Sequence, residues 1–147
     1  MSHKIHLEEH TKVTQHLLPL ADPRAAGTFN SATATDQLTS GQPQYEDAML
    51  VIDVGLPSGT PDAWQLIVKL QEGATSTPAT DVTGKTVTLT GTATTGNGVF
   101  SIPFSPAKLL RYYDVNAVLS FTNGSSPKLP FSVIEVRTGG NDTMAPV

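Results

Sequence analysis

The sequence predicts an all-β domain, an antiparallel β-sandwich, and three observations carry that expectation. Runs of about four to eight residues alternate apolar with polar side chains, the period of a strand half-buried against a core. Clusters of Gly, Pro, Asn and Ser separate these runs at short intervals. The connections are too short to hold the crossover helices that a parallel sheet requires.

Taken in order, the chain divides by composition near Ser31. Residues 1–30 contain all four histidines, His3, His6, His10 and His16, and close on Pro19, Pro23 and Ala25-Ala26-Gly27. From His6 to Leu18 the apolar positions Leu7, Val13, Leu17 and Leu18 make a sparse stripe compatible with a short helix that Pro19 stops. So little apolar surface cannot offset the segment's own conformational entropy, so residues 1–30 read as an extended N-terminal arm, mobile or ordered on a partner. On that reading, removal of residues 1–27 leaves the β-domain folded. Residues 31–138 form the β-sandwich domain, and the Gly/Asn/Pro-containing residues 139–147 a flexible tail.

Within the domain, Ala48, Leu50, Ile52, Val54 and Leu56 share one strand face, with Met49, Val51 and Asp53 on the other. Pro57-Ser58-Gly59-Thr60-Pro61 forces a turn. Trp64, Leu66, Val68 and Leu70 then alternate with Gln65, Ile67, Lys69 and Gln71, the clearest strand in the chain. Gly73 to Thr83 reads as a polar loop, and Lys85 to Thr94 as a strand with Val87 and Leu89 inward. Thr95-Gly96-Asn97-Gly98 carries an Asn-Gly pair, which predicts a tight hairpin into a strand with Phe100, Ile102 and Phe104 on one face. Tyr113, Val115, Ala117, Leu119 and Phe121 define the next strand, and Asn123 to Pro127 the turn to a return strand over Leu129 to Arg137.

Composition excludes several functions. With net charge −4, pI near 5.4 and nine scattered basic residues, the chain lacks the clustered Lys and Arg that neutralise phosphates, so no nucleic acid is expected as a partner. The absence of cysteine removes disulfides and thiolate zinc sites. No apolar run approaches the ~18 residues of a spanning helix, and Met1 to His16 holds no signal-peptide apolar core, so no membrane is expected and synthesis in a cytoplasm is. Asn123 and Asn141 head Asn-x-Ser/Thr sequons that read as chance occurrences.

The chemistry-bearing residue types do not assemble into a catalytic set. Every His precedes residue 17, so seating one beside a strand-borne nucleophile requires the arm to fold back, and no Gly-x-Ser-x-Gly elbow is present. His6 and His10 share a face if helical, near Glu9, with His16 as a further candidate ligand, but no third ligand fixed by the fold accompanies them. Whether the four histidines meet a metal or a neighbouring subunit stays open at this stage. Thr83-Gly84-Lys85-Thr86 copies the end of a phosphate-binding loop, yet Ala79 stands where its first glycine belongs and the text that follows is strand. Asp53, Asp114 and Glu135 are the strand-borne acids; outward solvating charge is the simpler account of them than paired glycoside chemistry. For sugar stacking, Trp64 is in phase with the core, which leaves Tyr45 and Tyr112 as platforms. The expectation is a non-enzymatic protein with no catalytic residue, no cofactor and no metal.

The run Leu110 to Val115, followed by Phe121 to Pro127 and Phe131-Ser132-Val133, resembles the last two strands of capsid cement, or decoration, proteins of tailed bacteriophages. Leu50 to Gly55, Gly59 to Asp62 and Gln71-Glu72 are similar to the opening of their β-region, so the resemblance spans about residues 31–137. It implies a jelly-roll sandwich, a homotrimer, and a place on the outer capsid surface of the virion where the protein joins major capsid protein subunits. The rival readings are a head-closure or tail component and a fibre module that recognises glycans.

Overall fold

The computed structural model describes residues 12–17, 23–38 and 45–139. Its strands are β1 (Lys12–Leu17), β2 (Gly27–Asn30), β3 (Thr35–Asp36), β4 (Asp47–Val54), β5 (Ala63–Gly73), β6 (Thr80–Gly91), β7 (Gly98–Phe104), β8 (Tyr112–Thr122) and β9 (Phe131–Thr138). A single 3-10 turn, Pro106–Lys108, stands between β7 and β8. One sheet has the order β1-β9-β4-β7 and the other β2-β8-β5-β6, with the short β3 also on β8.

All the pairings are antiparallel, and they are nested: β5 with β6, β4 with β7, β2 with β8, β1 with β9. The chain is thus one long ribbon, doubled back at the β5–β6 hairpin and wrapped so that successive ribbon segments fall in alternate sheets. This is the jelly-roll form of the β-sandwich. Its core is the inward half of each alternation: Leu50, Ile52, Val54, Ile102, Phe104 and Val133 from one sheet meet Trp64, Leu66, Val68, Leu70, Val115 and Leu119 from the other. Leu50, Ile52, Leu66, Val68, Leu70 and Val115 are sealed from solvent. Each such side chain contributes about 1.5–3 kcal/mol of gross stabilisation, which offsets the entropy of ordering the strands.

Several expectations differ from the structure, and most of them failed on a long-range pairing. The described part of the expected 6–18 helix is a strand: Lys12–Leu17 lines up against β9, from Lys12 opposite Arg137 to Leu17 opposite Val133. Gly27–Asn30 likewise pairs with β8, and Arg24 bridges Leu129, so residues 12–17 and 24–30 belong to the two sheets rather than to an arm outside them. Buried His16 and Leu17 supply what local composition hid, because β9 offered an open edge that satisfies the β1 backbone.

The Asn-Gly segment does not close a hairpin, because β6 and β7 lie in different sheets. Gly96 serves packing instead. The Trp64 indole lies against this turn and donates from Nε1 to the Thr92 carbonyl at 3.0 Å, and a Cβ on Gly96 would come within 2.5 Å of the ring. Similarly, Asn123 to Pro127 carries the chain from β8 across to the other sheet, so β9 returns beside β1 and β4 and not beside β8. The polar loop after β5 is also shorter than expected, since β6 already begins at Thr80. Residues His3, His6, His10 and the 140–147 tail lie outside the described residues.

Candidate functional site

The alternation that fills the core also dictates what each sheet shows outward. On the β1-β9-β4-β7 sheet the register sets Val13 opposite Val136, Val136 opposite Met49, and Met49 opposite Pro103, so one apolar row crosses all four strands. The next row carries Ile134 opposite Val51, flanked by Gln15 and Ser101. Val13 is 58 % exposed, Met49 40 % and Val99, further along β7, 68 %. Apolar side chains contiguous on a flat sheet face mark a surface suited to a protein neighbour. The outer face of the other sheet is different: its rows read Asn30-Asn116-Lys69-Thr86 and Thr28-Val118-Ile67-Thr88, with Thr90 following along β6.

Between the sheets lies a polar cluster. Glu135 is inward by strand parity, in phase with Phe131 and Val133, and is wholly buried. Its carboxylate accepts from the Tyr113 hydroxyl at 2.6 Å and lies 2.6 Å from His16 Nε2 and 2.8 Å from Arg137 Nε. The Arg137 contact is an ion pair whose Nε–H is not aligned for a hydrogen bond. The guanidinium is fixed by its Nη2 donating to Thr14 Oγ1 at 2.6 Å and by the Tyr45 ring, 5.3 Å away. Burial, and next the neighbouring Glu135, push the Tyr113 phenol up from its ordinary value. A buried carboxylate is tolerable only when so compensated.

His16 Nδ1 lies 2.9 Å from Ser31 Oγ. Hydroxyl, imidazole and carboxylate therefore stand in the order used for acyl transfer, and the chain does bring a histidine to a serine in the way the sequence argued against. What the group does here is clamp strands. Ser31 Oγ accepts the Val115 amide N–H at 2.9 Å, and the His16 side chain is only 1 % exposed, so the cluster ties β1, the segment after β2, β8 and β9 across the two layers.

The three acids singled out from the sequence fall in three separate layers, so they do not pair with one another. Asp53 is exposed on the outer face of β4, Glu135 is in the interlayer, and Asp114 is on the outer side of β8 by parity yet buried. Tyr45 is buried beneath Arg137 and offers no platform, whereas Tyr112 is half-buried with the Arg111 guanidinium 4.8 Å from its ring. Thr83 to Thr86 lies inside β6, and Lys85 Nζ donates to the Pro103 carbonyl at 2.6 Å. Among the described residues no three His, Cys, Asp or Glu side chains converge as metal ligands.

Asp114 is buried by a detour of the chain. β2 pairs with β8 as far as Asn30 opposite Asn116, and β3 resumes at Thr35 opposite Tyr113. Residues 31–34 bow outward between them, and the 76–79 loop rises on the other side, enclosing a cleft of about 680 Å³. Asp114, Asn116, Gln71 and Tyr112 line it. Desolvation pushes the Asp114 carboxyl up, partly countered by His16, and its buried Oδ1 meets no hydrogen-bond donor. Strand parity alone would have called it a solvated charge; only the covering loop makes it a site.

Two antiparallel sheets, one of four strands and one of five, packed on a shared apolar interior define the class as a jelly-roll β-sandwich. No protein-family model and no curated protein matches the chain. Among solved structures it is similar to the sugar-binding EclA C-terminal domain, at 10 % identity over 86 % of this chain and 77 % of that one with a TM-score of 0.45. It is also similar to the Macrobrachium rosenbergii nodavirus P-domain, at 12 % identity over 90 % and 94 % of the two chains with a TM-score of 0.44. The Tobacco streak virus coat protein matches at 14 % identity over 97 % and 96 %, with a TM-score of 0.38.

Proposed function

We propose that this is a non-enzymatic structural protein that works by docking on other protein subunits, and specifically a bacteriophage capsid cement protein, acting as a homotrimer on the outer capsid. The observation that carries the docking reading is the Val13-Val136-Met49-Pro103 row, which crosses a whole sheet face in one register. Burying such a row removes apolar area from water at each contact, and that area must be exposed again before the joined subunits separate. Association has its own entropic cost, so one such patch supports only modest affinity, and many copies on one shell make attachment effective through multivalency. The cement placement itself rests on the strand-and-turn resemblance between residues 50 and 133.

Cryo-electron microscopy of the virion tests the placement. The expected result is density for this chain over the junctions of major capsid subunits, with the β1-β9-β4-β7 face turned toward the shell. Density confined to the tail, or none in the particle, overturns it. Light scattering on the purified chain checks the trimer.

A further inference from the structure

The cleft over β8 holds a feature that docking through the opposite sheet leaves unused. Asp114 is only 8 % exposed, lines the cleft with what remains, and its Oδ1 has no hydrogen-bond donor among the described residues. A buried acceptor without a donor is rare in a native fold, and it signals a missing partner. The neighbouring amides are half-committed in the same way: Asn116 Nδ2 donates to Asn30 Oδ1 at 2.6 Å, and Gln71 Nε2 to Asp81 Oδ1 at 2.7 Å. Asn116 Oδ1 and Asn30 Nδ2 have no bonding partner among the described residues.

The lining selects the ligand's chemistry. It presents carboxylate, amide and hydroxyl groups with one aromatic ring, and no Lys or Arg is among the residues that form it. Phosphates and other anions are therefore disfavoured, since Asp36 also borders the cleft. An uncharged molecule carrying several adjacent hydroxyls donates to Asp114 and Asn116, accepts from Asn30, and lays a ring face toward an aromatic side chain. The floor is β-strand, so these groups are held before binding. We propose that this cleft is a saccharide-binding site in which Asp114 and the Asn116–Asn30 amide pair bond sugar hydroxyls beside Tyr112. This goes beyond the docking reading and does not depend on it.

The test is a glycan array probed with the full chain, its hits titrated by calorimetry against wild type, Asp114→Asn and Asn116→Ala. Wild type is expected to bind at least one saccharide, and each variant to bind it about ten-fold more weakly, as expected when a charged or well-placed hydrogen bond is lost. Asp114→Asn is expected to melt at or above the wild-type temperature, because the desolvation of the charge it removes outweighs that charge's attraction to His16. A blank array overturns the proposal, as does binding that both variants retain. A lower melting temperature for Asp114→Asn assigns the carboxylate to the fold and also overturns it. So does capture of a short arginine peptide through Asp114, which would make the cleft a socket for a partner's cationic side chain.

Discussion

The two outer faces of this sandwich are built by the same two-residue alternation and end with opposite characters. Across β1, β9, β4 and β7 the outward positions line Val13, Val136, Met49 and Pro103 into one row, with Val51 and Ile134 behind it. Across β2, β8, β5 and β6 they give Asn30, Asn116, Lys69 and Thr86, with Val118 and Ile67 set among threonines. One face suits a protein neighbour and the other is solvated apart from its cleft. Alternation decides which residues leave the core; what they meet outside is decided by the register between strands.

Both faces hang on the same interlayer, and breaking that has the largest expected effect. Removing residues 1–17 takes away β1 with His16 and Leu17, and the remaining chain is expected to lose its sharp thermal transition, in contrast to the arm reading of the sequence. Circular dichroism and amide NMR dispersion check this. Glu135→Ala leaves Arg137 and His16 without their carboxylate and is expected to destabilise by about 3–5 kcal/mol, read from urea unfolding.

The comparison itself is sharpened by charges placed on each face. Under the cement proposal, Met49→Asp is expected to lower capsid occupancy at least about ten-fold while unfolding free energy moves by about 1 kcal/mol or less. Thr88→Asp, on the opposite face, is expected to leave occupancy unchanged. Equal loss from both would erase the distinction between the faces.

Smaller effects come from pH. The folded-state pKa of Asp114 is raised by desolvation, so its ionised form costs stability at neutral pH, and that cost is relieved as pH falls through the raised value toward the ordinary one. Asp114→Asn is therefore expected to be more stable than wild type at pH 7, the difference shrinking as pH falls toward the ordinary carboxylate range. Asp36 runs the other way. Hydrogen bonds from the Arg111 guanidinium, and next from the Leu38 amide, hold its carboxyl down to about 2, so the stability it contributes is fully present above its ordinary pKa of 3.8 and is lost as pH falls toward 2. Because this pair is exposed, Arg111→Ala is expected to change only the acid limb of the stability curve, and slightly.

Much of the fold was legible in the sequence because burial in a strand is a local property. The inward sets Ala48-Leu50-Ile52-Val54-Leu56 and Trp64-Leu66-Val68-Leu70 were readable from parity alone, and the structure buries all of them but Leu56, which lies past the end of β4 and is 48 % exposed. Parity also contained Glu135, two residues on from Val133, but a charge in phase with a core face was set aside as solvating. Its partner His16 lies 119 residues away, so nothing nearby announced the pair. The Asn-Gly and Asn-Gly-Ser-Ser-Pro segments were recognised as turns, yet turn chemistry does not say whether the chain returns in the same sheet or crosses to the other.

By itself, then, the sequence determined that this chain forms strands, which residues of most strands point inward, and that it has no cysteine to form a disulfide or a thiolate ligand. Only the tertiary structure decided that residues 12–17 and 27–30 are strands, that the pairs are nested into a jelly roll, that four apolar side chains share a row, and that Asp114 lies beneath a loop. The physical reason is the range of the interactions. Alternation is read over a few residues, whereas an edge strand, a register and a buried charge are each stabilised by partners brought together only when distant segments close on one another.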